Sequence, residues 1–194
     1  REAAPNLYLP RHTTSLPFTP NDPQFPGQWF FENLHMEDAW GITLGDTKTT
    51  IVVIDTGCDL THPDLAPKLD PGIDVVDGDS DPSPDQSMSG SEHGTACAGL
   101  AGAATNNGVG VAGACPACRL RCVRLITDAA IPIADDIAAF AFALQVDAAV
   151  VSNSWGFSEP TPVPQMLADA ITNVFDIGAG GKGALVLFAM GNDD

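Results

Sequence analysis

Basic residues are scarce in this sequence. Eight Lys and Arg stand against 25 Asp and Glu, a formal net charge of −17. That balance excludes a nucleic-acid binder held by phosphate contacts. It favours cationic partners such as metal ions or basic peptides, or a salty exterior; the alternative is acidity that only keeps the protein soluble. Long apolar runs are missing as well. The runs present, such as Ala184 to Met190, are short, far below the roughly 18 residues of a membrane span. Five cysteines in 194 residues are too few for a disulfide-built scaffold. No Asn-x-Ser/Thr sequon occurs, and the chain opens at Arg1 without an initiator Met, so processing or trimming is expected. What is present, 44% hydrophobic and 17% charged residues, excludes a disordered chain and a coiled coil and suffices for one domain with a sizeable core.

Residues 1–28 carry six prolines and a scatter of apolar residues, including Leu7, Tyr8, Phe18 and Phe25. Proline fixes φ and removes a donor, so an extended arm packed against the body is expected. A short amphipathic helix is predicted over Trp29–Trp40. Beyond it the pattern alternates. Strands are predicted at Thr49–Asp55, Arg119–Leu125, Ala148–Ser152 and Ala184–Met190, and helices from His93 to Ala103, Ile133 to Leu144 and Pro164 to Phe175. Asp70–Glu92 reads as an acidic loop without periodicity. Strands alternating with helices predict an α/β fold, a parallel β-sheet flanked by helices on both faces, whose chemistry gathers at the carboxyl ends of the strands.

Two residues stand where such chemistry is expected. Asp55 ends an apolar strand before Thr56-Gly57, where a structural capping role is an equal reading. His93 lies in Ser91-Glu92-His93-Gly94-Thr95, where a loop enters a small-residue helix, and a lone His is more often an ordinary loop residue. Together they suggest more, because a carboxylate can fix an imidazole tautomer and stabilise the imidazolium when the His acts as a base. Asn192, in Ala189-Met190-Gly191-Asn192, ends another strand, and its amide could donate to an oxyanion.

Asp55-Thr56-Gly57, His93-Gly94-Thr95 with Ala98-Gly99, and Ser154-Trp155-Gly156 followed by Gly191-Asn192 resemble the subtilisin-like serine proteases. The order Asp, His, Ser is the one that family uses. Asn21-Asp22-Pro23-Gln24-Phe25-Pro26-Gly27-Gln28-Trp29 resembles the entry segment of the kexin/furin branch, so the likeness covers residues 21–194. It implies an extended arm at 1–21 and the N-terminal portion of a catalytic domain at 22–194. It further implies that Asp55 orients His93, that His93 is general base and then acid, and that Asn192 supplies an oxyanion donor. Ser154, Trp155 and Gly156 would form a strand pairing with the substrate backbone, with Gly156 admitting the side chain before the cleaved bond. Glu159 matches an acidic position that selects basic residues, although Thr56 replaces an acidic residue usual in that branch.

The nucleophilic Ser should lie in a Gly-Thr-Ser segment after Asn192, and Ser152, Ser154 and Ser158 do not fit that motif. Either the remainder is a second chain, cleaved after Asp194 and still associated, or the sequence is an incomplete piece. Half a parallel sheet would expose an apolar edge, which favours the associated second chain. The other class of function is a non-catalytic peptide-binding module on the same fold that lacks the Ser. The resemblance implies a secreted or periplasmic location and a peptide or protein substrate, with no nucleic-acid partner and no membrane span.

For metals, the loop Ala104-Thr105-Asn106-Asn107-Gly108-Val109-Gly110-Val111 resembles the family's tight calcium loop. Asp22, Asp64 and Asn107 would join the carbonyls of Ala104, Val109 and Val111; the alternative is a plain Asn-Gly turn. Asp74, Asp79 and Asp81 are candidates for a second calcium, with a solvated acidic loop as the alternative. Asp77-x-Asp79-x-Asp81 lacks the Gly of an EF-hand. Zinc is not expected at Cys115-x-x-Cys118, which has no second pair. Cys115 and Cys118 span a turn within disulfide reach, while Cys118 and Cys122, about 13 Å apart on a strand, are not expected to bond. Cys58 and Cys97 are expected to be buried small hydrophobes beneath the Asp55–His93 pair, with Cys97 pointing into helix packing rather than serving as a nucleophile.

Overall fold

The computed structural model describes residues 16–157 and 162–192. Five strands form the sheet: β1 (Thr50–Asp55), β2 (Ile73–Asp74), β3 (Arg119–Arg124), β4 (Val150–Asn153) and β5 (Leu185–Phe188). Their order is β2-β3-β1-β4-β5 and every pairing is parallel. Five α-helices accompany them: α1 (Trp29–Asn33), α2 (Met36–Ile42), α3 (His93–Gly102), α4 (Ile133–Gln145) and α5 (Gln165–Gly181). The α/β fold read from the sequence is the observed one.

β1 explains the layering. Side chains alternate faces along a strand, and in this central strand both sets are apolar. Val52 and Ile54 enter a core with Val123, Phe140, Val151, Leu167 and Val174 beneath α4 and α5. Ile51 and Val53 enter a second core with Leu65, Ala98, Leu120 and Cys122 beneath α3. Each such side chain contributes about 1.5–3 kcal/mol on burial, so a polar residue at either set would uncouple one helical layer. The chain passes from β1 to β3 on one side, then returns by α4 to β4 on the other. Such a reversal opens a crevice at the carboxyl end of β1, where Asp55 stands.

The helix expected over Trp29–Trp40 is two helices. His35 adopts φ 53° between them, a left-handed conformation that no α-helix continues through. The bend folds Trp40 back onto Phe31, with ring centroids 5.2 Å apart. Phe18 and Phe25 join this cluster at 6.4 and 5.9 Å from Trp40. Residues 1–15 of the expected arm lie outside the described residues. The acidic loop holds one element that periodicity did not reveal. β2 is two residues long, too short for any pattern, and its pairing with β3 makes it a strand. α5 leaves helical geometry at Gly178, where a Cβ would lie 2.8 Å from that of Ala184.

Candidate active site

Asp55 Oδ1 lies 2.7 Å from His93 Nδ1, with the Asp55 side chain 2% exposed and that of His93 51% exposed. Three local features bring these residues, 38 apart in sequence, together. The Thr56 N–H donates to Asp55 Oδ1 at 2.8 Å and holds the carboxylate. Thr56 Oγ1 donates to the Ser91 carbonyl at 2.8 Å and accepts from the Gly94 N–H at 2.9 Å, tying the loop before α3 to the end of β1. Gly94 completes the fit, since a Cβ there would lie 2.2 Å from the Gly57 carbonyl oxygen. Any side chain at position 94 would push α3, and His93 with it, away from Asp55. The latching role of Thr56 was not legible beforehand, because its partners come from another element.

Ser154, Trp155 and Gly156 follow β4 directly. Trp155 Nε1 donates to the Ile54 carbonyl at 2.9 Å, fixing this segment against the end of β1. A Cβ at Gly156 would meet nothing within 4 Å, so open space lies beside it. A cavity of about 210 Å³ adjoins the segment, walled by Phe140, Trp155, Phe157, Leu167, Ile171 and Phe188. Asn192 follows β5 through Gly191 (φ 89°) and is exposed at the same sheet edge. The Ala189 N–H donates to the Asn153 carbonyl at 2.9 Å, and Asn153 Nδ2 to the Leu187 carbonyl at 2.9 Å, registering the strand that carries Asn192. Glu159 lies outside the described residues.

The two expected metal clusters differ. Asp22 and Asp64 are 2% and 1% exposed, and both grip the loop 104–111. Asp22 accepts from the Asn106 and Asn107 N–H groups at 2.7 and 3.1 Å; Asp64 accepts from Asn107 Nδ2 and the Val111 N–H at 2.8 and 2.9 Å. The Ala104 N–H donates to the Asp64 carbonyl at 2.8 Å, and the Val109 N–H to Asn107 Oδ1 at 2.8 Å. Among the described residues no Lys or Arg pairs with either carboxylate. Two acids buried without a Lys or Arg counter-charge would suit a hard cation such as calcium, while in this arrangement their oxygens accept from the N–H groups of the loop and the Asn107 amide.

The second cluster is not assembled. Asp74 is paired with Arg124 of β3 and caps the N–H groups of Val76 and Asp77 at 2.8 and 3.0 Å. Asp79 caps Asp81, and Asp81 caps Ser83. An Arg guanidinium already answers the Asp74 charge, and the other two carboxylates turn into their own local turns, so Asp74, Asp79 and Asp81 do not converge.

The cysteines bring both agreement and correction. Cys115 and Cys118 are joined, as expected, and Cys118 and Cys122 are not. Cys58 is not a buried thiol. It bonds Cys122 of β3 across 64 residues, because the segment after β1 turns back over the sheet and brings the two to a Cα separation of 6.0 Å. Cys97 is free and half-buried, and it packs against the edge of the core beneath α3. Its Sγ lies 3.8 Å from His93 Nδ1 and 3.9 Å from Nε2. Burial pushes the Cys97 thiol up; a hydrogen bond with Ser154 works the other way, and the nearby Asp55 charge raises it again. A thiol so perturbed is a poor nucleophile at neutral pH.

The Asp55–His93 pair thus stands at the carboxyl end of the central strand of a parallel sheet. The subtilase family model matches residues 46–194, and the chain belongs to that family. It is 37% identical over 186 residues to the thermophilic serine proteinase of Bacillus sp. (strain AK1), covering 95% of this chain and 43% of that protein. It is 33% identical to furin of Rattus norvegicus, covering 89% of this chain and 23% of furin. A solved protease from Pseudoalteromonas arctica superposes with a TM-score of 0.74 at 28% identity, over 90% of this chain and 60% of that one. The chain thus spans less than half the length of the two curated relatives. No described helix is long and apolar enough to cross a membrane.

Proposed function

We propose that this chain carries the Asp and His of a serine endopeptidase that hydrolyses peptide bonds, with the Ser supplied from outside residues 1–194. The observation that supports this reading is the 2.7 Å contact between buried Asp55 and half-exposed His93. Asp55 holds the imidazole proton on Nδ1 and leaves Nε2 free to take the serine proton. The serine Oγ then attacks the scissile carbonyl, and Asp55 stabilises the imidazolium that forms. Asn192 donates its amide to the oxyanion of the tetrahedral intermediate. His93 returns the proton to the leaving amine, and a water repeats the cycle on the acyl-enzyme. The extended Ser154-Trp155-Gly156 segment pairs with the substrate backbone. Asp22, Asp64 and Asn107, with the carbonyls of Ala104, Val109 and Val111, would hold a calcium ion, which would stiffen the loop that follows α3. The enzyme acts in a secreted or periplasmic setting, where calcium is available and disulfides persist.

Glu159 supports selection of a basic residue before the cleaved bond. The apolar cavity beside Gly156 supports a second reading, in which an apolar substrate side chain contributes most of the selectivity. Peptides differing only at that residue, presented to the full-length protein, decide between them. An advantage of Arg over Phe of at least about tenfold in kcat/KM, roughly 1.4 kcal/mol, upholds the basic preference, and Glu159→Gln narrows it; a Phe advantage assigns selection to the cavity. In the same assay His93→Ala lowers kcat by on the order of 10⁴-fold or more. Unchanged hydrolysis in His93→Ala sinks the peptidase reading, and peptide binding without any hydrolysis in the unaltered protein favours the non-catalytic module.

A further inference from the structure

The two disulfides among the described residues differ in access. Cys58 and Cys122 are each 1% exposed, so no thiol in solution reaches that bond while the fold holds. Cys118 is 2% exposed, but its partner Cys115 is only half-buried. Their bridge closes a separation of 3 within Cys115-Pro116-Ala117-Cys118. It lies just before β3, at the end of the sheet away from Asp55, which is in register with Arg124 at the other end of that strand. The backbone around it is held without the sulfur bond. The Ala114 and Cys115 N–H groups donate to the Leu100 and Ala101 carbonyls of α3 at 2.9 and 3.1 Å. The Ala117 N–H donates to the Leu44 carbonyl at 2.8 Å, and the Arg119 N–H to the Thr49 carbonyl at 2.9 Å. Two thiols released here therefore stay side by side, ready to reclose.

The geometry points to a thiol-exchange site at Cys115–Cys118, opened and reclosed by external thiols while the protein stays folded. Two features beside the ring serve such an exchange. Lys68 Nζ donates to the Pro116 carbonyl, inside the ring. Lys68 is 8% exposed, and among the described residues no carboxylate pairs with it. A cation beside a Cys-x-x-Cys ring lowers the thiol pKa, and a thiol of lower pKa leaves faster. On the other flank Gly45 passes at φ 90°, where a Cβ would lie 2.3 Å from Cys115 Sγ, so the glycine keeps that sulfur clear of a side chain. The electrons and protons balance. An external thiolate attacks Cys115 Sγ, its electron pair forms the new S–S bond, and the pair of the old bond leaves on Cys118 Sγ, which takes a proton from solvent. A second external thiolate attacks the outer sulfur of the mixed disulfide, and Cys115 leaves and is protonated. Two external thiols become one disulfide, and the protein disulfide becomes two thiols; the reverse sequence recloses it. Cys58–Cys122 stays shut throughout and keeps the segment after β1 on β3. None of this depends on the peptidase reading.

The experiment incubates the full-length protein with reduced glutathione in native buffer, alkylates samples at intervals and maps the cysteines by peptide mass spectrometry. The Cys115–Cys118 bridge should open at least about tenfold faster than Cys58–Cys122, with the circular dichroism unchanged, and oxidised glutathione should restore it. The mixed disulfide should fall on Cys115. Accordingly Cys118→Ser should take up glutathione at Cys115, and Cys115→Ser should leave the buried Cys118 unmodified. Equal opening rates for the two bridges, opening only together with loss of the folded signal, or glutathione carried on Cys118 overturns the site. Should either variant fail to fold, by circular dichroism, the two opening rates in the unaltered protein decide alone.

Discussion

Asp136 shows how one residue's surroundings set a pH dependence. It lies in the first turn of α4 and is 4% exposed. Burial pushes its carboxyl above the ordinary carboxylate range, and the neighbouring Asp135 adds to the rise. A folded-state value above the unfolded one makes the group's stabilising contribution complete below the unfolded value, near 3.9, and lost as pH rises through the folded one. Asp136→Asn should therefore raise the melting temperature at pH 7, and the gain should shrink towards zero below about pH 4; scanning calorimetry at both pH values checks it. An equal gain at both would show that something other than ionisation is at work. Asp70 is the opposite case. Hydrogen bonding to Arg119 holds its carboxyl low, so its contribution is present above the unfolded value and fades in acid. The aspartates of the sequence look alike on paper, and only their partners separate these behaviours.

Among elements, the central strand and its disulfide carry most of the organisation. Cys58–Cys122 ties the segment after β1 to β3 across 64 residues, while Cys115–Cys118 closes a separation of 3. Loop-closure entropy rises with loop length, giving about 4 kcal/mol for the long loop and about 2 kcal/mol for the short one. Replacing Cys58 and Cys122 together by Ala should lower the melting temperature more than the corresponding change at Cys115 and Cys118, with calcium held constant. The reverse order would mean that strain or residual unfolded structure outweighs chain entropy. The long bridge also anchors the strand end that carries Asp55, so its loss should reduce peptide hydrolysis at temperatures where the fold persists.

For the whole molecule, charge and metal belong together. A net charge of −17 repels itself in a folded body, and two of its acids are buried beside loop 104–111. A calcium ion there, as proposed, would answer part of that repulsion and would link the segment at Asp22 to the loop after α3 through Asp64 and Asn107. Binding only to the folded state stabilises it by about 2.7 kcal/mol at a hundred times Kd. Excess calcium chelator should lower the melting temperature by several degrees, and Asp64→Asn should remove most of that calcium dependence. A melting curve indifferent to chelator would refute the site. At the far side of the sheet, β5 leaves Leu185, Leu187 and Phe188 60%, 54% and 44% exposed. That apolar edge is the one expected where a parallel sheet lacks a covering layer.

Some of this was legible in the residues alone because its cause is local. Strand-length segments read at 49–55, 119–125, 148–152 and 184–190, alternating with helical spacing, point to a parallel sheet. Asp55 at a strand end and His93 at a helix entrance are placed by the same local pattern, and Gly94 admits them to one another. Only the tertiary structure decided the rest. Cys58 meets Cys122 because the segment after β1 turns back over β3, and Asp74 meets Arg124 because β2 pairs with β3, which engages its charge. Cys97 faces the imidazole because one turn of α3 sets it four residues beyond His93, on the side where β1 ends. Each of these outcomes depends on which strands become neighbours. That is settled by the packing of two cores against one central strand, and spacing along the chain does not carry it.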